Sequence, residues 1–468
     1  MAPAASGWGA GARNHPRVLG IIVRRAEYAG SDHVIDRRLA RVAIDLTHLA
    51  RDGVQGGARP VALALVRAFA QSAPELDVTL LTNQATDAEL AYLDGPRLRR
   101  LLARREPDRE RLPARMGSTL RSRVVSALPV GATLPLRRLY WSAWTGRGQR
   151  RLARAAHPDV VFSPLTTATP TDRATPLVTM VHDLQHVAYP AFFTRDQVAL
   201  RQQALDELGQ RAARLVCVSE HARQSLLAAA DVDPARVVVI HHTLFDAPAA
   251  PSTEETAATL QDLGAETGRF LLYPANFWPH KNHRALLRAM ALYQRRQPAA
   301  RLVLICTGSL SERTAELRAL AEELGIGDLV RFPGYLPRQR LSALWLNCRA
   351  LVFPSLFEGF GLPLLEAMAC ATPILCSRVT SLPEVAGDAA LYFDPLAPDE
   401  IADAIQQIDT DPDLRARLVA AGSRQLRTFG TVQDVAERYL RVLADAAHAE
   451  PTATAATATL SAPGPSQR

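Results

Sequence analysis

Lysine is almost absent from this sequence of 468 residues, which carries 54 basic Lys and Arg residues. Lys281 is the single lysine, and all the others are arginines. An ammonium group is a compact point charge, whereas a guanidinium group is a flat fork of donors, so the two are not interchangeable. Lys281 therefore marks either a position that needs a point charge or an accident of composition.

Long apolar runs and a cysteine framework are missing as well. No stretch approaches the roughly 18 consecutive apolar residues that a membrane helix needs, and the first forty residues lack the pattern of a secretory signal. The five cysteines are scattered, at positions 217, 306, 348, 370 and 376. Without metal-type spacing, they are typical of reduced thiols, so we expect a cytoplasmic protein.

The net charge of +7 is concentrated in one basic segment, residues 97–154. This segment is either a solvated, arginine-rich insertion or a surface that attracts an anionic membrane or a charged acceptor. No zinc-finger, RRM or KH pattern accompanies it, so we expect no nucleic-acid partner.

Short apolar segments alternate with helical segments of about ten to fifteen residues, a pattern that predicts parallel sheets covered on both faces. The alternation occurs in two blocks, 39–250 and 251–430, with a Pro-, Ala- and Ser-rich linker candidate at 246–256. The predicted fold class is therefore α/β, with two doubly wound, Rossmann-like domains facing a central cleft.

The remaining segments lie outside these blocks. We expect residues 1–38 to be flexible and residues 449–468, which are low in complexity, to be a disordered tail. The apolar periodicity of 431–448 predicts a last helix, which we expect to pack back on the first domain.

In such folds ligands bind at the carboxyl ends of the strands. After the first predicted strand come Gly56 and Gly57, which form either a plain turn or a close backbone approach to a ligand. After a later strand comes "HDLQH" with His182, Asp183 and His186. His182 can contact substrate or shuttle a proton, or it can cap the strand end. A metal pair is a weaker alternative, because no third ligand is evident.

The stretch "NFWPHKNH" follows the first strand of the second block. Pro279 predicts a loop that leads into a helix near His283. Lys281 then lies beside a helix N-terminus, where the helix dipole disfavours a cation unless an anion such as a phosphate is bound there.

The stretch "EGFGLPLLE" carries Glu358 and Glu366 around a glycine-rich loop and a helix start at Leu362 and Pro363. Gly359 and Gly361 let backbone amides face a ligand, and the two carboxylates can bind hydroxyl groups. The alternative is that Glu366 complements the helix dipole and Glu358 caps the loop.

These stretches, with "QGG", "VSEHARQSL" and "FPGYLP", resemble in their order the motifs of the family 4 (group 1) glycosyltransferases, which have the GT-B fold. The resemblance covers about residues 41–445. It implies transfer of a sugar, with retention, from a nucleotide-sugar donor held by the second domain to an acceptor held by the first. It also implies that no metal or other cofactor is needed.

Carried over to this sequence, the resemblance gives Lys281, Glu358 and His182 catalytic roles. Lys281 would neutralise the diphosphate, Glu358 would contact the donor sugar, and His182 would border the sugar and the acceptor. The implied donor-binding residues are Gly56, Gly57, Asn276, Asn282, Phe360, Gly361, Leu362 and Glu366, the last of them on the ribose.

One departure concerns the loop around Lys281. Many members of the family place an arginine before the lysine, but here the flanking residues are Asn276 and His280. Our hypothesis is that a protonated His280 supplies part of the missing charge.

The expected activity is that of a hexosyltransferase, mannosyltransferase-like, which uses a UDP- or GDP-linked donor. The expected acceptor is a glycan or lipid-linked precursor of cell-surface polysaccharide or lipopolysaccharide, at the inner membrane face. The alternatives are a sugar-nucleotide epimerase of the same fold and a non-catalytic glycan- or nucleotide-binding scaffold. A phosphorylase is disfavoured, because its pyridoxal phosphate would need the one lysine.

Overall fold

The computed structural model describes residues 39–50, 57–103, 155–167 and 175–449. The predictions for residues 1–38, for Gly56, for residues 104–154 of the basic segment and for residues 450–468 of the tail lie outside these ranges.

Seven parallel strands form the first sheet, in the order β3-β2-β1-β4-β5-β6-β7. Their bounds are β1 Arg41–Asp45, β2 Asp77–Thr82, β3 Leu98–Leu102, β4 Val160–Ser163, β5 Leu177–Val181, β6 Arg214–Cys217 and β7 Val237–Val239. The strand order reverses between β1 and β4, so the chain leaves a crevice at the carboxyl ends of these strands.

Six parallel strands form the second sheet, in the order β10-β9-β8-β11-β12-β13. Their bounds are β8 Phe270–Pro274, β9 Val303–Thr307, β10 Val330–Gly334, β11 Ala350–Phe353, β12 Ile374–Ser377 and β13 Ala390–Phe393. The order reverses between β8 and β11, which are hydrogen-bonded neighbours. The loops that follow these two strands carry Lys281 and Glu358, so the topology brings the two side chains to one crevice.

Helices follow most of the strands and cover the faces of both sheets. Their bounds are α1 Ala58–Ser72, α2 Gln185–Ala188, α3 Arg195–Arg211, α4 Glu220–Ala229, α5 Thr253–Asp262, α6 His283–Arg296, α7 Glu312–Glu323, α8 Arg338–Asn347, α9 Leu362–Ala369, α10 Leu382–Ala386, α11 Pro398–Thr410, α12 Pro412–Arg427 and α13 Val432–His448. Several begin at side-chain caps: Thr194, Ser252 and Thr431 each form a capping box with the third helical residue. Within the described ranges, no helix is both long enough and apolar enough to cross a membrane.

The basic segment 97–154 is not an insertion along its whole length, because its first residues belong to the first sheet. Strand β3 lies inside it and pairs along its length with β2, because Leu98 and Leu101 face the core. Arg97 contacts Asp77 at 2.9 Å, and Arg100 contacts Asp94 at 2.8 Å. These arginines therefore form ion pairs within the domain.

The linker candidate 246–256 is also shorter than predicted. Helix α5 starts at Thr253, because the Ser252 hydroxyl accepts the amide hydrogen of Glu255 and the Glu255 carboxylate accepts that of Ser252. Only the stretch before Ser252 remains irregular.

The last helix, α13, packs on the first sheet, although it follows the second domain in sequence. The Tyr439 ring lies 5.5 Å from the Phe162 ring and 6.4 Å from the Phe69 ring, and its side chain is fully buried. The core of the first domain therefore includes a helix from the end of the described chain.

Candidate functional site

An ion pair between Lys281 and Glu358 lies where the loops after β8 and β11 meet. The Lys281 Nζ donates to Glu358 Oε1 at 2.5 Å, and each side chain is only 12% exposed. The ammonium also lies 5.4 Å from the centre of the Phe353 ring. A lysine that is mostly buried beside a carboxylate and an aromatic face is held in a fixed position, ready to contact an anion in the crevice.

Two asparagines that the sequence suggested as donor contacts hold the loops in place. Asn282, in the left-handed region at φ 57°, donates its side-chain amide to the carbonyls of Pro354 at 3.1 Å and Pro395 at 2.8 Å. The Asn276 Oδ1 accepts the amide hydrogen of Ser309 at 2.9 Å. The amide hydrogens of Asn282 are thus used within the domain and fix the turn that presents Lys281, while donor contacts of Asn276 and Asn282 stay a prediction.

The hypothesis that His280 is protonated is wrong. Burial, and to a lesser extent the neighbouring Lys281 ammonium, lower the pKa of His280 to about 3. Its backbone carbonyl accepts the amide hydrogen of Leu356 at 2.7 Å. His280 is therefore neutral and connects the two loops through its backbone, so Lys281 supplies the positive charge of this turn alone.

The loop after β11 is held by the residues that begin α10. The buried Ser381 hydroxyl lies 3.0 Å from the Glu358 carbonyl and 3.1 Å from the Phe360 carbonyl, and the Thr380 Oγ1 accepts the Glu358 amide hydrogen at 3.1 Å. With the carbonyls fixed in this way, the amides of Phe360, Gly361 and Leu362 have no acceptor among the described residues. These three amides are therefore candidates for hydrogen bonds to a ligand.

Glycine is required at two positions of this loop. Gly361 has φ 102°, in the left-handed region where a side chain is strained. A Cβ atom at Gly359 would lie 1.9 Å from the His182 carbonyl oxygen. Across the same cleft, a Cβ atom at Gly57 would lie 3.0 Å from Leu362 Cδ1. Gly57 of the first domain therefore lies against Leu362 at the start of α9.

Glu366 lies one turn into α9 and differs from Glu358 in having no cation of the described residues within hydrogen-bonding distance. Burial raises the pKa of Glu366 to about 7, and the more distant Arg338 opposes this effect only in part. The carboxylate has no hydrogen-bond partner among the described residues. A carboxylate in this situation can gain hydrogen bonds from the hydroxyl groups of a ligand.

His182 follows β5 on the opposite side of the cleft. Its Nε2 lies 2.7 Å from the Pro164 carbonyl, so Nε2 carries a hydrogen, and its backbone amide donates to Thr166 Oγ1 at 3.2 Å. Burial lowers the pKa of His182. The ring is therefore neutral, with Nδ1 as an acceptor.

The structure brings no further metal ligand to the His182 and His186 pair among the residues that it describes. His186 lies on α2 and is buried. Within the ranges that the structure describes, no group of three or more His, Cys, Asp or Glu side chains could hold a metal ion. Independence from metals and cofactors stays a prediction.

Three residues at the cleft were missed from the sequence: Ser219, His241 and Glu384. The Ser219 hydroxyl donates to the Gly359 carbonyl at 2.7 Å, and the Glu384 carboxylate accepts from His241 Nε2 at 2.6 Å. The available signals were Ser219 as the N-cap residue of "VSEHARQSL" and Glu384 after Pro383 in a short helix. Neither signal shows that Ser219 contacts Gly359 or that Glu384 contacts His241 across the cleft.

Two family descriptions match the chain, one in each half. "Glycosyltransferase Family 4" matches residues 55–244, and "Glycosyl transferases group 1" matches residues 257–425.

Similar curated proteins include O-antigen chain mannosyltransferase B of Escherichia coli, 33% identical over 252 residues, which are 54% of this chain and 66% of that protein. D-inositol 3-phosphate glycosyltransferase of Frankia alni is 32% identical over 246 residues, which are 50% of this chain and 60% of that protein. The chain thus spans less than two thirds of the length of these curated relatives.

Among solved structures, the Anabaena protein HepE in complex with UDP and glucose is similar, with a TM-score of 0.63 and 17% identity. The match covers 87% of this chain and all of that one. At this identity, the likeness establishes the fold.

Proposed function

The chain belongs to the family 4 (group 1) glycosyltransferases and has the GT-B fold, and from this premise we propose that it transfers a sugar from a nucleotide-sugar donor to a glycan or lipid-linked acceptor. The observation that carries the proposal is the mostly buried pair of Lys281 and Glu358 at the strand-order reversal of the second sheet. The named relatives, a mannosyltransferase and an inositol phosphate glycosyltransferase, support the same class of reaction.

Lys281 is assigned to the leaving group. When the bond between the anomeric carbon and the diphosphate oxygen breaks, negative charge grows on the departing diphosphate. A fixed cation beside that oxygen stabilises the transition state more than the ground state. His280 is neutral, so Lys281 carries this role without a second cation from its own turn.

Glu358, Glu366 and the loop amides are assigned to donor recognition. Glu358 orients Lys281 and would contact hydroxyl groups of the donor sugar. Glu366, which has no described hydrogen-bond partner, is the candidate for the ribose hydroxyls. The amides of Phe360, Gly361 and Leu362 would add hydrogen bonds from the start of α9, where the helix dipole favours an anion.

His182 is assigned to the acceptor side. Its neutral ring and free Nδ1 suit a hydrogen bond from a sugar or acceptor hydroxyl group. For a retaining transfer we favour attack on the same face. The acceptor oxygen bonds to the anomeric carbon as the diphosphate leaves, and the acceptor proton passes to the departing diphosphate oxygen. A covalent route, through an intermediate on a side-chain carboxylate, is the alternative.

The proposed biological role is synthesis of cell-surface polysaccharide or lipopolysaccharide at the inner membrane face. The relative named for O-antigen chain synthesis supports this proposal. Both UDP- and GDP-linked donors suit the backbone contacts described above, and a mannosyl or other hexosyl group is the expected cargo.

The deciding experiment is a nucleotide-release assay with a panel of UDP- and GDP-linked sugars, with and without glycan acceptors. We expect slow donor hydrolysis for one donor and faster release when an acceptor is present. The Lys281→Ala protein, purified in the same way, controls for contaminating hydrolases. Formation of an altered sugar nucleotide without an acceptor would instead identify an epimerase, and donor binding without any release would identify a scaffold.

A further inference from the structure

Glu384 of the second domain forms three hydrogen bonds with the first domain. Its Oε1 accepts the Glu220 amide hydrogen at 2.7 Å and a hydrogen from His241 Nε2 at 2.6 Å. Its Oε2 accepts the His221 amide hydrogen at 3.1 Å. The three donors lie on two elements of the first domain, the start of α4 and the segment after β7.

The amides of Glu220 and His221 are the first two of helix α4, and such amides have no acceptor within their own helix. Ser219 caps the third amide, that of Ala222, at 3.0 Å. The positive end of the helix dipole favours a carboxylate at this place. Glu384 therefore completes a helix cap that the first domain leaves open.

The carboxylate of Glu384 is charged in this contact. Burial by itself would raise the pKa of Glu384, but the hydrogen bonds from His241 and the two amides outweigh burial and lower the pKa. A charged acceptor of three hydrogen bonds makes a stronger contact than a neutral one.

The same short helix holds the site loop. Ser381, three residues before Glu384, fixes the carbonyls of Glu358 and Phe360. On the opposite side, Ser219 donates to the Gly359 carbonyl at 2.7 Å. Docking of α10 on α4 therefore determines where Gly359 lies relative to the first domain.

We propose that Glu384 is a positioning residue, which docks α10 on the start of α4 and so sets the closed arrangement of the cleft. Glu384 does not contact the Glu358 and Phe360 carbonyls, which Ser381 holds. It acts on the loop through Ser381 and Gly359. The effect on turnover rests on the proposed function, whereas the effect on domain docking does not.

Hydrogen exchange tests the docking directly and needs no activity. In Glu384→Ala, we expect the amides of Glu220 and His221 to lose protection. The Ala222 amide, capped within the first domain, serves as the internal control and should exchange as before. If the Glu220 and His221 amides keep their protection in the variant, the proposal is wrong.

Steady-state kinetics with the donor found in the release assay test the positioning role. We expect kcat to fall on the order of 10- to 100-fold in Glu384→Ala, with a smaller change in the donor KM, because the proposed donor contacts lie mostly in the second domain. Glu384→Asp, which keeps the carboxylate, should recover part of kcat, and Glu384→Gln, which keeps the size but not the charge, should recover less.

Asp399→Asn removes the same charge from an exposed pair with Arg296 in the second domain, so it is the matched control, with expected kinetics like those of the unmodified protein. An unchanged kcat in Glu384→Ala, or a change confined to the donor KM, would overturn the positioning role. If neither the unmodified protein nor any variant turns over a donor, the proposed function fails. The hydrogen-exchange result still decides whether Glu384 docks the two domains.

Discussion

Lys281 is held by a carboxylate that lies on the neighbouring strand's loop, so its charge is partly neutralised before any donor binds. The proposed diphosphate would therefore have to share the ammonium with Glu358. This arrangement explains how a cation can lie beside the start of α6 without a strong penalty from the helix dipole. It also makes the two side chains energetically dependent on each other.

Replacement of Lys281 by alanine should lower kcat by about 10²- to 10³-fold, the range seen when one electrostatic stabiliser of a transition state is removed. Lys281→Arg should be intermediate, because the charge remains but the flat guanidinium fits the place poorly. Steady-state nucleotide release measures both. Arg284 is an exposed cation in the first turn of α6. Arg284→Ala is therefore the control, and its kcat should stay within about twofold of that of the unmodified protein. A Lys281→Ala protein with full kcat would contradict the assignment.

The same substitution should also affect stability. Lys281→Ala leaves the mostly buried Glu358 without its cation, at a cost of about 1–3 kcal/mol. Adding Glu358→Gln in the same chain should restore much of this loss without restoring turnover. Denaturant unfolding compares Lys281→Ala with the double variant. Equal free energies of unfolding would show that Lys281 and Glu358 do not depend on each other.

Glu366 predicts a pH dependence of donor binding. Because burial raises its pKa to about 7, the carboxylate is mostly protonated at pH 6 and mostly charged at pH 8. The charged form is the better acceptor for hydroxyl groups, so the donor KM should fall as the pH rises through about 7. Glu366→Gln should have a higher donor KM with a flatter pH profile. If the donor KM has the same pH profile in the unmodified protein and in Glu366→Gln, Glu366 does not take part in donor binding.

At the scale of elements, strand and helix alternation predicted most of both sheets, since each strand end carries a recognisable loop. The errors have local physical causes. The arginine pattern of the basic segment hides strand β3, because Arg99 and Arg100 mask the buried Leu98. The predicted linker 246–256 overlaps only the first four residues of α5, because the Pro- and Ala-rich stretch before them hides the Ser252 cap.

The candidate site was predictable only where one motif contains it. Glu358 and Glu366 share a stretch of nine residues, whereas Glu384 and Glu220 lie 164 positions apart in sequence. No periodicity or spacing carries information about a contact of this kind, because it depends on how the two domains meet. The protonation of His280 could not be predicted either, because its burial becomes visible only in the folded loop.

The Gly359 loop gives a prediction at this scale. A methyl group on Gly359 would lie 1.9 Å from the His182 carbonyl oxygen, so Gly359→Ala should force the loop and the first domain apart. We expect a larger radius of gyration in small-angle scattering and a strong loss of kcat. Gly95→Ala, at a glycine with nothing within 4 Å of its Cβ position, is the control. A compact and fully active Gly359→Ala protein would contradict the close approach.

For the whole molecule, α13 connects the end of the described chain to the core of the first domain. Tyr439 fills a space between Phe69 and Phe162, yet its hydroxyl has no hydrogen-bond partner among the described residues. The ring therefore stabilises the core by packing, whereas the buried hydroxyl group, without a partner, lowers the stability of the fold.

Two substitutions at Tyr439 should separate these effects. Tyr439→Ala should lower the free energy of unfolding by about 3–5 kcal/mol, as for other large aromatic side chains cut down to alanine. Tyr439→Phe should be neutral or stabilising, because it removes only the unpaired hydroxyl. Denaturant unfolding measures both, and a marked loss of stability in Tyr439→Phe would reveal a hydrogen bond that this packing does not include.

The position of α13 also determines the order in which the two domains can be completed during synthesis. A ribosome releases the strands of the first domain early but the helix that completes their core last, after the entire second domain has been synthesised. The second domain, whose strands and helices are contiguous from α5 to α12, can reach its full core while the first still lacks Tyr439. During synthesis, the domain that begins first is therefore the one that is finished last.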